Sequence, residues 1–98
     1  MPGSHPEPER RDLWVVAYGW RPEDTELVVK AYGAHRANTD RMGADGRLLM
    51  IGTTDASHAM AVFADEDAAA GFVSNDPLVG SDLVRSVSVT RWSALRYH

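Results

Sequence analysis

Few side chains in this chain have the chemistry to take up and return a proton near neutral pH. Of the four histidines, His5 and His98 lie at the ends, leaving His35 and His58. An imidazole exchanges protons near neutrality, and a carboxylate beside it can fix its tautomer and stabilise its protonated form. The carboxylate of interest is Asp76, which stands directly before Pro77. His35 falls seven residues beyond Val28 in a helical pattern, so it points towards a sheet or its rim. Two readings are open for it: a proton-transfer group, or a semi-buried histidine bonded to a backbone carbonyl. A carboxylate just before proline at the end of a helix most often shapes the turn that the proline begins. His58 opens a strand and reads as a solvated strand residue. A metal set of His35, His58 and Asp76 lacks the tight spacing of known ligand motifs, so no metal site is expected. Cysteine is absent, which excludes disulfides, thiolate ligands and thiol nucleophiles. The serines lack the glycine pattern of a nucleophile elbow, and there is no glycine-rich phosphate loop. No cofactor is therefore expected. Trp14, Trp20 and Trp92 read as core or interface anchors.

The elements that must carry these residues follow from the apolar pattern. Leu13 to Tyr18 is rich in β-branched and aromatic residues and reads as a strand apolar on both faces. Gly19 ends it. Pro22, Glu23, Asp24 and Glu26 then suit the first turn of a helix, where proline costs nothing and negative charge meets the positive end of the dipole. Leu27, Ala31, Ala34 and Met42 recur at helical spacing, widened by Val28 and Tyr32, and Gly43 and Gly46 supply the stop. Residues 47–53 form a second strand. A turn at Thr54-Asp55-Ala56 leads to a third, residues 57–64, in an antiparallel hairpin. Asp65 caps a second helix that buries Ala68, Ala69, Phe72 and Val73 and ends at Asn75-Asp76-Pro77. Residues 83–92 alternate as a last strand. Strand, helix, strand, strand, helix, strand is the α+β, ferredoxin-like βαββαβ order, with a four-stranded antiparallel sheet.

Ninety-eight residues make one domain, with a thin core. Residues 1–11, with three prolines and no bulky apolar side chain beyond Met1, read as a disordered tail; 12–93 form the domain and 94–98 a C-terminal tail. A net charge of −4 and scattered basic residues argue against a nucleic-acid partner. No stretch approaches a membrane span and the N-terminus lacks a signal peptide's apolar core, so the default location is the cytoplasm, with no membrane partner. Nine arginines against one lysine hint at a GC-rich, bacterial source.

Two helices can cover one face of a four-stranded sheet, not both. Trp14, Val16 and Tyr18 face one way and Leu13, Val15 and Ala17 the other; Leu48 and Met50 oppose Leu49 and Ile51; Met60 and Val62 oppose Ala59, Ala61 and Phe63. Each strand keeps an apolar face to spare, which usually marks an interface. A homodimer closing two sheets face to face, a dimeric α+β barrel, is the expected solution. The alternative is a monomer whose open face forms a ligand cleft. In the last strand, if Val87 and Val89 face the helices, then Ser86, Ser88 and Thr90 line the spare face.

These pieces together resemble one family. The opening strand Leu13-Trp14-Val15-Val16-Ala17-Tyr18, the helical Ala34-His35-Arg36, the run from Asp45 to Gly52, and Asn75-Asp76-Pro77-Leu78-Val79 followed by Val87-Ser88-Val89-Thr90-Arg91-Trp92 are similar to the YCII-related (YciI-like) family of dimeric α+β barrels. The resemblance implies a histidine–aspartate active site at His35 and Asp76, and proton-transfer chemistry of lyase or isomerase type, dehydrochlorinase-like in one branch, on a small cyclic or aromatic molecule. The expected pocket lies between helix and sheet, with Tyr18, Met50 and Trp92 as walls. Relatives often carry arginine three residues before the histidine; here that position is Tyr32, so an anchor for a substrate carboxylate is either missing or supplied by Arg36. The other reading is a non-catalytic, dimeric metabolite-binding or accessory protein using the same pocket. A filled cavity, or His35 and Asp76 too far apart to bond even through one water, would favour that second reading.

Overall fold

A computed structural model describes residues 7–97. The chain forms β1 (Glu9–Trp20), a 3-10 turn at Pro22–Asp24, α1 (Thr25–Ala44), β2 (Leu48–Asp55), β3 (His58–Phe63), α2 (Glu66–Asn75) and β4 (Val84–Arg96). The strands make one antiparallel sheet in the order β2-β3-β1-β4. This is the ferredoxin-like α+β arrangement expected from the element order. Pro22 stands at the first turn leading into α1, and the Asp65 side chain caps α2 by accepting from the Ala68 N–H at 2.8 Å.

The core lies between the helices and one face of the sheet. Val16, Tyr18, Ala59, Ala61 and Phe63 from the strands meet Val28 and Met42 of α1, Ala68, Ala69 and Phe72 of α2, and Leu78 and Val79 beyond it. The opposite face holds a small cluster of Leu13, Val62 and Ala94, with Val15 against it, and leaves Met50, Met60 and Trp92 exposed. Directly opposed residues share a face. Val87 opposes Tyr18 and Val89 opposes Val16, so both stand on the helix side, while Ser88 and Thr90 oppose Ala17 and Val15 on the far face. Val87 and Val89 stay exposed although they face the helix layer, at the edge strand β4.

Three sequence expectations need correction. The expected tails are partly strand: Glu9, Arg10 and Arg11 pair with Arg96, Leu95 and Ala94. Each polar end supplies backbone partners that only the other could reveal. Residues 1–6 of the expected N-terminal tail, His5 among them, and His98 lie outside the described residues. In β2 the register shifts between Leu48 and Met50. Leu48 opposes Phe63 and Met50 opposes Val62, so they lie on opposite faces instead of sharing one, and Ile51, opposite Ala61, turns to the helix side. On α1 the buried stripe is Val28, His35, Asn38, Thr39 and Met42, while Leu27 and Ala34 face solvent. Burying three polar side chains in one stripe requires hydrogen-bond partners, and these define the site.

Candidate active site

Asp76 is the C-cap of α2, and its backbone is extended (φ −66°, ψ 130°), the conformation forced on a residue before proline. Pro77 then turns the chain so that the N–H groups of Leu78 and Val79 point back at the carboxylate, donating to Oδ1 at 2.9 and 3.0 Å. Across the gap, α1 presents His35 and, one turn on, Asn38. His35 Nδ1 lies 2.7 Å from Asp76 Oδ1, and Asn38 Nδ2 donates to Oδ2 at 2.8 Å. Asn38 in turn accepts from Arg41. Asp76 is 1% exposed and His35 4%. No buried side-chain nitrogen or oxygen among the described residues lacks a partner.

The electrostatics assign the protons. Burial works against the Asp76 carboxylate, but the hydrogen bonds from His35, the Val79 N–H and Asn38 outweigh it and hold the group below the usual carboxylate range. A carboxylate only accepts, so Nδ1 of His35 carries the hydrogen of that bond. In the neutral ring the lone pair is then on Nε2. The Tyr18 hydroxyl lies 3.3 Å from it. Burial pushes the Tyr18 phenol well above its ordinary range, with Asp76 and Tyr32 adding to the effect, so it is the donor to Nε2. Tyr18, His35 and Asp76 thus form one line of hydrogen bonds, from β1 through α1 to the end of α2.

His35 and Tyr18 open on a cleft of about 620 Å³ between α1 and the β2–β3 hairpin. That volume suits a small ring. Trp20, Val28, Val29, Tyr32, Ile51 and Leu78 supply apolar or aromatic wall, and Thr25, Thr39, Thr53 and Asp55 its polar edge. Of the residues expected at the site, the structure brings together His35, Asp76, Tyr18 and Tyr32. It does not bring in Arg36, Met50 or Trp92. Arg36 points outward from α1 and pairs with Asp40 at 3.2 Å. Met50 was displaced to the far face by the bulge in β2, where its place in the cleft is taken by Ile51. Trp92 opposes Leu13 on that same far face. His58 also belongs to the far side. A Cβ on Gly19 would meet its ring at 2.7 Å, and His58 bonds Asp55 at 2.8 Å without reaching His35. Among the described residues no cluster of three or more His, Cys, Asp or Glu could hold a metal.

Sequence reasoning missed Asn38 and the two backbone donors. Asn38 had a usable signal, since a polar residue three beyond a histidine shares its helix face. The N–H groups of Leu78 and Val79 had a weaker one in the Asp-Pro step, because an aspartate before a turn commonly accepts from the backbone two residues on.

The sequence profile of the YCII-related domain matches residues 13–93. This chain belongs to that family. The solved structures it is similar to include 5-chloro-2-hydroxyhydroquinone dehydrochlorinase from Burkholderia phenoliruptrix AC1100, in complex with 2,5-dihydroxybenzoquinone. That match has a TM-score of 0.69 and 24% identity, covering 83% of this chain and 93% of the other. A transcriptional regulatory protein of the AsnC family from Pyrococcus furiosus superposes with a TM-score of 0.55 at 7% identity, over 87% of this chain and 51% of its own. At such identities both establish the fold alone. No curated protein sequence gives a match. No described helix of this YCII-domain protein is long and apolar enough to cross a membrane.

Proposed function

We propose that this YCII-domain protein is a cofactor-independent enzyme of lyase or isomerase type that moves a proton on a small cyclic or aromatic metabolite. The observation that carries the reading is the buried His35–Asp76 pair, bonded at 2.7 Å, with His35 lining a ligand-sized cleft. Nε2 of His35 is the working atom. It takes a proton from the substrate, and Asp76 holds the ring in place and stabilises the imidazolium. The freed electron pair either shifts a double bond, with the proton returned elsewhere, or expels a leaving group such as chloride. The Tyr18 hydroxyl donates to that same lone pair, so a substrate reaches Nε2 by displacing it. The structural similarity to a dehydrochlorinase crystallised with a dihydroxybenzoquinone supports a hydroxylated ring as substrate.

We also propose that the active form is a homodimer in the cytoplasm. Met50, Met60 and Trp92 stand exposed around the Leu13–Val62–Ala94 cluster on the face the helices leave open, an apolar patch that a second sheet would cover.

The test is a carbon–hydrogen exchange assay in D2O, read by NMR, over hydroxylated and halogenated rings that include 5-chloro-2-hydroxyhydroquinone. We expect at least one ring to exchange or eliminate. His35→Ala should slow that reaction by about a hundredfold or more, the usual worth of a general base. A rate unchanged in His35→Ala and Asp76→Asn would refute the assignment.

A further inference from the structure

We propose that Tyr18 is a second catalytic residue, whose hydroxyl donates to a carbonyl oxygen of the substrate ring as His35 takes a proton from the neighbouring carbon. The inference rests on the reading of the cleft as the substrate site and adds the class of ring it takes, a cyclic ketone or enone. Tyr18 faces the helix layer from β1, paired across the sheet with Ala59 and Val87. Its ring is buried among Trp20, His35 and Phe72, with ring centroids 6.3, 6.2 and 6.1 Å away. Packing on these sides fixes the phenol oxygen at the cleft wall. The O–H bond still turns about the carbon–oxygen bond, so its hydrogen is redirected from Nε2 to a ligand oxygen without moving a heavy atom of the protein. The bond it gives up is a loose one, since 3.3 Å is longer than a well-made hydrogen bond of a hydroxyl.

When Nε2 removes a proton from a carbon beside a carbonyl, the electron pair left behind spreads onto the carbonyl oxygen. Base and donor must then stand side by side, one at the C–H and one at the oxygen. His35 Nε2 and the Tyr18 hydroxyl, 3.3 Å apart, meet that demand. The donor must also keep its own proton. Burial first, then Asp76 and Tyr32, push ionisation of the Tyr18 phenol well above its ordinary range, so it stays a neutral donor near neutral pH. The other hydroxyls of the cleft are placed or engaged differently. Thr25 donates to the Ala56 carbonyl at 3.5 Å and Thr39 to that of Arg36 at 3.0 Å. Tyr32 is exposed and bonded to the Arg36 side chain. Thr53 stands two strands away, opposite Ala59, which itself opposes Tyr18.

Cyclohex-3-en-1-one is the probe. His35 Nε2 takes a proton from the carbon between the carbonyl and the double bond, and Tyr18 holds the dienolate oxygen. The proton returns to the far carbon of the original double bond, giving cyclohex-2-en-1-one with no atom gained or lost. Conversion by the full-length protein is followed by ultraviolet absorbance. We expect Tyr18→Phe, which keeps the packed ring, to lower kcat about a hundredfold with little change in KM. The downfield NMR signal of the His35 Nδ1 proton shared with Asp76 should persist in that variant, which ties the loss to the missing donor and not to a displaced histidine. A rate unchanged or raised in Tyr18→Phe would mean that the hydroxyl only blocks Nε2, and would overturn the proposal. Loss of the Nδ1 signal together with the rate would overturn it too, by making Tyr18 a positioning residue. If hydroxylated rings exchange protons and the ketone does not react, the carbonyl class is wrong and the His35–Asp76 reading stands. If neither reacts with the wild type, both fall.

Discussion

Replacing Asp76 with alanine should cost this protein more stability than any other single change at the site. Four donors converge on the carboxylate: His35 Nδ1, Asn38 Nδ2 and the N–H groups of Leu78 and Val79. Alanine leaves all four without their acceptor in a place where Asp76 itself is 1% exposed. An unsatisfied buried donor costs about 1–3 kcal/mol. Water entering from the cleft relieves part of this, so we expect a loss of about 4 kcal/mol. Domains of this size have roughly 5–15 kcal/mol in all, and the loss corresponds to about 20–30 °C in Tm. His35→Ala is the informative control. It removes the same 2.7 Å bond but leaves Asp76 with Asn38, Leu78 and Val79, so its cost should be about 2 kcal/mol. Urea unfolding at pH 7, followed by tryptophan fluorescence at one fixed protein concentration, measures both. If Asp76→Ala costs less than His35→Ala, or under about 1.5 kcal/mol, then the carboxylate is not the hub of the network and the reasoning fails.

Two further outcomes follow from the same geometry. Because the Asp76 carboxyl is held below its ordinary range, its contribution to stability is complete above the unfolded-state pKa near 4 and is lost as the pH falls through the lower folded value. Between pH 5 and 2 the unfolding free energy of the wild type should therefore fall more steeply than that of Asp76→Asn, by up to about 1.4 kcal/mol per pH unit. Parallel acid limbs in urea titrations would contradict this. On the far face, Met60→Glu combined with Trp92→Glu should turn a dimer into a folded monomer, seen by sedimentation with an unchanged far-UV circular dichroism spectrum; a dimer that survives both charges does not use that face.

The order of elements was legible because each carries its own local signal. Pro22 and the acids around it start α1, Asp65 caps α2, and Pro77 ends it. The spare apolar face was legible for the same reason, since alternation along β1 and β3 needs no knowledge of the rest of the fold. Where the reading failed, a second segment decided the matter. Met50 would share the face of Leu48 in a regular strand, and only pairing with β3 shows the shift that turns it away. Likewise, Glu9–Arg11 and Ala94–Arg96 look like tails until each is set beside the other.

For the site, the sequence alone determined two things: that His35 faces inward from α1, and that Asp76 stands at a turn it cannot avoid before proline. Both are consequences of local backbone geometry, the helical repeat and the steric demand of the proline ring. Only the tertiary structure decided that the two residues, 41 positions apart, meet at 2.7 Å with Tyr18 on the other ring nitrogen. It also decided that Arg36 pairs with Asp40 and that, among the described residues, no lysine or arginine lines the cleft. Those facts depend on how α1 and the end of α2 are laid on the sheet, and that placement is set by the packing of the whole core, which no stretch of chain carries by itself.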